Sequence, residues 1–111
     1  NPLCLVQFKE RFVQRQPCVF GVDIGTESLR TELYTLDGSV LASADYPYPT
    51  ISPLPNRFEQ NPQDWWIGMK TTIGQCLQQA QVDPKDVIGI GFTGTSCTVA
   101  PVNSRGEPLR P

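Results

Sequence analysis

Between Cys18 and Tyr46 three β-rich runs succeed one another with only short turns between them, and a chain so arranged folds back on itself as an antiparallel meander. The first run, Cys18-Val19-Phe20-Gly21-Val22-Asp23-Ile24, is bounded by Pro17 and Gly25. The second, roughly Leu29 to Tyr34, alternates: Leu29, Thr31 and Leu33 share one face, Arg30, Glu32 and Tyr34 the other. Asp37-Gly38, a pair that tolerates positive φ, joins it to a third run over about Val40 to Tyr46.

Beyond Tyr46 the pattern changes period. Pro47, Pro49, Pro53 and Pro55 remove backbone donors, so residues 47–60 are predicted to be an irregular extended loop. Asn61 and Pro62 then supply an N-cap and a first helical residue. Trp65, Trp66, Met69, Ile73, Cys76, Leu77 and Ala80 recur at helical spacing, which predicts a helix ending near Gln81. Gly68 and Gly74 weaken it by about 1 kcal/mol each relative to Ala and point to close packing on the sheet. After Asp83-Pro84, the apolar run Val87 to Phe92 reads as a strand buried on both sides, and a helix returning to such a strand implies parallel pairing. A polar bend at Gly94-Thr95-Ser96, a last strand over Thr98 to Val102 and a turn at Asn103 to Gly106 complete the order β-β-β-α-β-β, an α/β fold with a mixed sheet.

Residues 1–16 form an N-terminal extension, with Leu5, Phe8 and Phe12 at helical spacing and no chemistry of its own, and residues 17–111 form the folded part. Nine basic against eleven acidic side chains leave no electrostatic footprint for nucleic acid or an anionic membrane. Histidine is absent, which excludes a histidine-based triad within these residues. The four cysteines, Cys4, Cys18, Cys76 and Cys97, lack zinc-type spacing, so they are expected to be reduced and structural, which favours the cytoplasm. No run has the length of a membrane span, and Asn1 to Gln16 lacks the apolar core of a signal peptide.

The segment richest in chemistry is Asp23-Ile24-Gly25-Thr26-Glu27-Ser28-Leu29-Arg30. It is neither a P-loop nor a glycine turn that opens a helix, because this glycine turn leads into another strand. Such a turn still presents backbone N–H groups and the Thr26 and Ser28 hydroxyls to an anion. Asp23 closes a hydrophobic strand, where an unpaired carboxylate is costly and a hydrated Mg²⁺ would satisfy it. Gly25 lets the backbone approach a phosphate, and Arg30 can add charge-assisted donors. The same residues also suit a plain turn beside a solvated arginine, and the segment's place in the strand order is what separates the two readings.

Taken together, the chain from about residue 18 to 111 resembles the FGGY family of carbohydrate kinases, whose fold is the actin-like, ribonuclease-H-like ATPase fold. The resemblance is carried by Gly21-Val22-Asp23-Ile24-Gly25-Thr26 with Ser28 and Arg30, by Phe58-Glu59-Gln60-Asn61-Pro62 leading to Trp65-Trp66, by Gly89 to Thr95, and by Pro101 to Pro111. It implies that Asp23 lies near Mg²⁺ and that Gly25, Thr26, Glu27, Ser28 and Arg30 serve the phosphates of ATP. It places Thr95, Ser96 and Cys97 at a sugar pocket. Ser96 and Cys97 stand where glycerol kinases carry Arg and Glu and xylulokinases Met and His; Thr95 to Val102 looks closer to ribulokinase-like members, although those often carry an acid at Thr93. Trp65 and Trp66 read as packing anchors, and Glu59 and Gln60 as residues that fix the loop where it enters the helix.

The resemblance thus implies an ATP-dependent phosphorylation of a sugar or polyol hydroxyl, a pentulose such as ribulose being the best substrate, with a homodimer of the intact protein among its assemblies. It assigns the general base to an Asp in a Trp-x-Asp type segment beyond Pro111 and the adenosine pocket to a later domain. The chain begins with Asn and stops at Leu109-Arg110-Pro111, so it is expected to be the incomplete N-terminal part of a two-domain kinase, inactive by itself. Two alternatives remain: an actin-like or chaperone-like nucleotide switch, and a non-catalytic sugar sensor.

Overall fold

The computed structural model describes residues 16–111; the expected extension, apart from Gln16, lies outside the described residues. Strands β1 (Cys18–Ile24), β2 (Ser28–Thr35) and β3 (Val40–Pro47) form the expected antiparallel meander. A small hairpin, β4 (Ile51–Leu54) with β5 (Arg57–Glu59), precedes the helix α1 (Pro62–Ala80), and a single 3-10 turn at Pro84–Asp86 leads into β6 (Val87–Gly94). The main sheet has the order β3-β2-β1-β6, with β6 parallel to β1 as a helical crossover requires.

α1 begins where the sequence says it should. The Asn61 side chain accepts from the Gln63 N–H at 3.0 Å and Pro62 sits in the first turn. It ends at Gln81, which adopts a left-handed φ of 52° while Val82 N–H closes on the Leu77 carbonyl at 3.2 Å. The helix lies over β2 and β3 and buries two adjoining clusters. One joins Cys18, Phe20, Leu33, Ala42, Ala44 and Cys76; the other, nearer the turn between β1 and β2, joins Val22, Leu29 and Tyr48, with Trp65 and Met69 packed against it. Leu29 and Leu33 are fully buried, which stabilises the fold by about 1.5–3 kcal/mol each. Thr31 and Thr72, also fully buried, satisfy each other across the helix–sheet interface at 2.7 Å. Gly68 is the point of closest approach: a Cβ there would lie 2.8 Å from Tyr46 Cδ1, whereas a Cβ at Gly74 would meet nothing within 4 Å. The expected close packing therefore holds for Gly68 and not for Gly74.

Three expectations need correction. Residues 47–60 are not wholly irregular, because Pro55 and then Asn56 at φ 61° turn β4 back onto β5. β6 is not buried on both sides: α1 lies chiefly over β2 and β3, and Ile88, Ile90 and Phe92 are all exposed. The last strand, Thr98 to Val102, does not form. Pro101 has no N–H to give a ladder, and the Asn103 side chain, accepting from Arg105 N at 2.9 Å and Glu107 N at 3.0 Å, curls the chain so that only a bridge from Val102 to Pro108 remains.

Candidate functional site

The β1–β2 turn is held from behind. Gly25 N–H donates to the Ser28 carbonyl at 2.9 Å, and a Cβ on Gly25 would stand 3.0 Å from that same oxygen, so the turn needs glycine for its own closure. The other carbonyls are taken in order. The Tyr48 hydroxyl donates to Gly25 O at 2.5 Å, Thr50 Oγ1 and Gln60 Nε2 donate to Thr26 O at 2.7 and 2.6 Å, and Tyr48 N–H donates to Glu27 O at 3.1 Å. With four successive carbonyls engaged, the Thr26 and Glu27 N–H groups have no acceptor among the described residues. Unengaged donors at the tip of a turn favour an anion over a cation. Burial, and after it the charge of Asp23, pushes the Tyr48 phenol above its ordinary range, so it remains a hydrogen-bond donor to Gly25.

The bend after β6 meets this turn. Thr95 N–H donates to Ile24 O at 3.0 Å, and the Thr95 and Thr26 hydroxyl oxygens are 3.5 Å apart. Thr26, Thr95 and Cys97 line one open cavity of about 480 Å³, together with residues that include Thr50, Phe58, Gln60 and Trp65. Ser96 is not among its lining residues. Cys97 takes φ 65°, which turns the bend sharply before Thr98. Glu59 sits at the cavity wall between two arginines, 2.9 Å from Arg57 Nε and 2.7 Å from Arg110 Nη2.

Asp23 and Arg30 lie elsewhere. Their Cα positions are paired across β1 and β2, and both line a second cavity of about 420 Å³ on the sheet face opposite α1, with Gly21, Glu32, Tyr34, Gly91 and Thr93. Asp23 is exposed there, so the expectation that it ends a strand in an apolar setting is corrected: alternation puts its side chain on the face α1 leaves open, and no desolvation cost arises. Gly21 and Gly91 contribute no side chains beside it, and the Tyr34 ring lies against Gly21. Arg30 Nε is bonded to Asp45 Oδ1 at 2.8 Å, and that bond, then the Asp45 charge, raises the guanidinium pKa further. Among the described residues no three His, Cys, Asp or Glu side chains converge as a metal cage. Of the two carboxylates lining this cavity, Glu32 is half-buried and accepts from the Tyr34 hydroxyl, whereas Asp23 is exposed and could hold a magnesium ion that keeps most of its waters.

Sequence reasoning missed the four side chains behind the turn. Tyr48, Thr50 and Gln60 hold its carbonyls, and Trp65 Nε1–H donates to Gln60 Oε1 at 3.1 Å. Trp65 is thus half-buried packing with a polar duty, while Trp66 is exposed and carries Lys70 Nζ 5.3 Å above its ring. Gln60 does more than fix the start of the helix, since it reaches the turn itself. The cysteines Cys18, Cys76 and Cys97 are free, as expected; burial pushes the Cys18 and Cys76 thiols up, and Cys4 lies outside the described residues.

Residues 18–111 match the N-terminal domain of the FGGY family of carbohydrate kinases. The chain belongs to that family. This FGGY chain is 37% identical over 102 residues to a ribulokinase of Geobacillus thermodenitrificans, an alignment covering 82% of the chain and 18% of that relative. In three dimensions it is similar to a xylulose kinase from Rhodospirillum rubrum, with TM-score 0.76 and 33% identity over 85% of the chain and 19% of that structure. A Plasmodium falciparum glycerol kinase with ADP shares the fold, at TM-score 0.73 and 16% identity over 85% of the chain and 19% of that structure. The chain spans about a fifth of the length of the relatives it matches. The mixed sheet with its helix is the N-terminal part of the actin-like kinase fold. Among the described residues no helix is long and apolar enough to cross a membrane.

Proposed function

We propose that the protein carrying this FGGY domain transfers the γ-phosphoryl group of ATP to a hydroxyl of a sugar, a pentulose such as ribulose being the preferred class. The observation that carries this reading is the contact between turn and bend: Thr26, in the turn whose N–H groups at 26 and 27 are unengaged, meets Thr95 through its hydroxyl and shares a cavity with Thr95 and Cys97. A phosphate at the turn and a hydroxyl compound in the cavity would be neighbours, as phosphoryl transfer requires. The similarity to a ribulokinase supports the pentulose class.

In this reading the N–H groups of Thr26 and Glu27 and the hydroxyls of Thr26 and Ser28 bind phosphate oxygens, and Gly25 keeps the turn narrow. Arg30 reaches the phosphates by sharing or leaving Asp45. Asp23 would hold Mg²⁺, which would supply charge neutralisation on the phosphates when bound. Thr95 and Cys97 face the sugar, and Ser96, expected there too, does not line the cavity. The proton acceptor and the adenosine pocket are assigned, by the family resemblance, to segments other than residues 1–111, so these residues alone would transfer nothing. Free thiols at 18, 76 and 97 support a reducing compartment such as the cytoplasm, and a homodimer of the intact protein remains the proposed assembly.

The test is a sugar panel on the full-length protein with ATP and Mg²⁺, reading ADP release. Release that depends on a pentulose supports the proposal. ATP-driven polymerisation or partner release without any phosphorylated small molecule would put the nucleotide switch in its place, and sugar binding without ADP release would put the sensor there.

A further inference from the structure

Gln60 occupies an unusual post. It is the residue just before the Asn61 cap, and Trp65 is the fourth residue of α1, the two positions that often carry an apolar staple across a helix start. Here the staple is a hydrogen bond, Trp65 Nε1–H to Gln60 Oε1 at 3.1 Å. An indole N–H can only donate, so it fixes Oε1 toward itself and Nε2 toward the turn. Gln60 Nε2 then donates both to Thr26 O at 2.6 Å and to Thr50 Oγ1 at 2.8 Å, and Thr50 Oγ1 in turn donates to Thr26 O at 2.7 Å. Every donor in this relay points one way, and it ends on the carbonyl directly behind the exposed turn. Gln60, Trp65, Thr50 and Thr26 also line the cavity assigned to the sugar.

We infer that Gln60 is a positioning residue for phosphoryl transfer: oriented by Trp65, it pins the Thr26 carbonyl and so aims the N–H groups of the turn at the phosphates. The functional consequence rests on the phosphotransfer reading, while the structural claim stands on the relay alone. Gln60→Glu separates a donor role from a space-filling one. It preserves shape and the acceptor for Trp65 but sets a carboxylate oxygen against the Thr26 carbonyl.

The experiment compares Gln60→Glu, Trp65→Phe and the double variant with the unchanged full-length protein. Steady-state kinetics with ATP and the accepted sugar are measured beside hydrogen exchange of the Gly25 amide in ligand-free protein. Gln60→Glu is expected to lower kcat/KM for ATP by about ten- to a hundredfold, the worth of one or two hydrogen bonds, and to speed Gly25 exchange by a similar factor. The melting temperature should barely change for so exposed a relay. Trp65→Phe should give part of the kinetic loss, and the double variant less than the product of the two factors. Unchanged ATP kinetics together with unchanged Gly25 exchange overturn the inference, as does an effect confined to the melting temperature. If the unchanged protein turns over no sugar, the phosphotransfer reading fails, and faster Gly25 exchange in Gln60→Glu still sustains the relay while unaltered exchange removes it.

Discussion

Replacing Gly68 and Gly74 with alanine, one at a time, asks whether α1 is seated on the sheet as described. Both sites lie inside the helix, so alanine brings the same propensity gain of about 1 kcal/mol to each. At Gly74 nothing opposes it, since a Cβ has open space to 4 Å, and the variant should be more stable by about that amount. At Gly68 the new Cβ would stand 2.8 Å from Tyr46 Cδ1, 3.1 Å from Cγ and 3.3 Å from Cβ. Those atoms are the root of the ring. The Tyr46 Cβ cannot swing aside, because the backbone of Tyr46 is held in register with Leu29 near the end of the edge strand β3. Forcing the contact costs about 1–3 kcal/mol, which cancels or exceeds the propensity gain and leaves Gly68→Ala less stable by about 1 kcal/mol. The two variants should therefore differ by about 2 kcal/mol, or about 10 °C in melting temperature for a domain of this size. Urea unfolding of the 111-residue chain, monitored by circular dichroism and tryptophan fluorescence, measures the difference. Equal stabilisation by both alanines would refute the packing of α1 on β3.

Three further outcomes rest on single contacts. Thr72→Val should cost about 1–3 kcal/mol in urea unfolding, because it strands the buried Thr31 hydroxyl, whereas Thr31→Val/Thr72→Val together should recover much of that loss. Gly25→Ala should weaken binding of an ATP analogue by about tenfold or more in titration calorimetry, since the added Cβ presses on Ser28 O and opens the turn. Tyr48 has a folded pKa raised above its ordinary value of 10.0, first by burial and then by Asp23, so its contribution to stability is complete below pH 10 and is lost as the pH rises through the folded value. Unfolding free energies above pH 10 should fall more steeply for the unchanged chain than for Tyr48→Phe.

The parts of the fold that local chemistry dictates were legible in the sequence. Alternation from Leu29 to Leu33 gave the buried face of β2, and Asn61-Pro62 gave the start of α1. The run from Val87 gave a strand that returns parallel to β1. What escaped depends on neighbours that no local pattern names. The exposure of Ile90 and Phe92 is set by where α1 comes to rest, over β2 and β3, not by the composition of β6. Pro53 and Pro55 hid the β4–β5 hairpin, although Pro55-Asn56 is itself the chemistry of a tight turn and could have revealed it. At the site, the turn and the bend were anticipated and do meet at Thr26 and Thr95. The scaffold behind them was not, because Tyr48, Thr50 and Gln60 are 23, 24 and 34 residues away from the carbonyls they hold. The one available signal was Trp65, whose indole N–H needs a partner and has Gln60 five residues earlier.

The most direct trial of the account is ADP release by the full-length protein with Mg²⁺, ATP and a pentulose, set beside Asp23→Ala. Pentulose-dependent release that falls by several orders of magnitude in the variant, with an unaltered melting temperature, is the expected result for an exposed carboxylate that serves the phosphates and not the fold. Undiminished release from Asp23→Ala, or no sugar-dependent release from the unchanged protein, would contradict it.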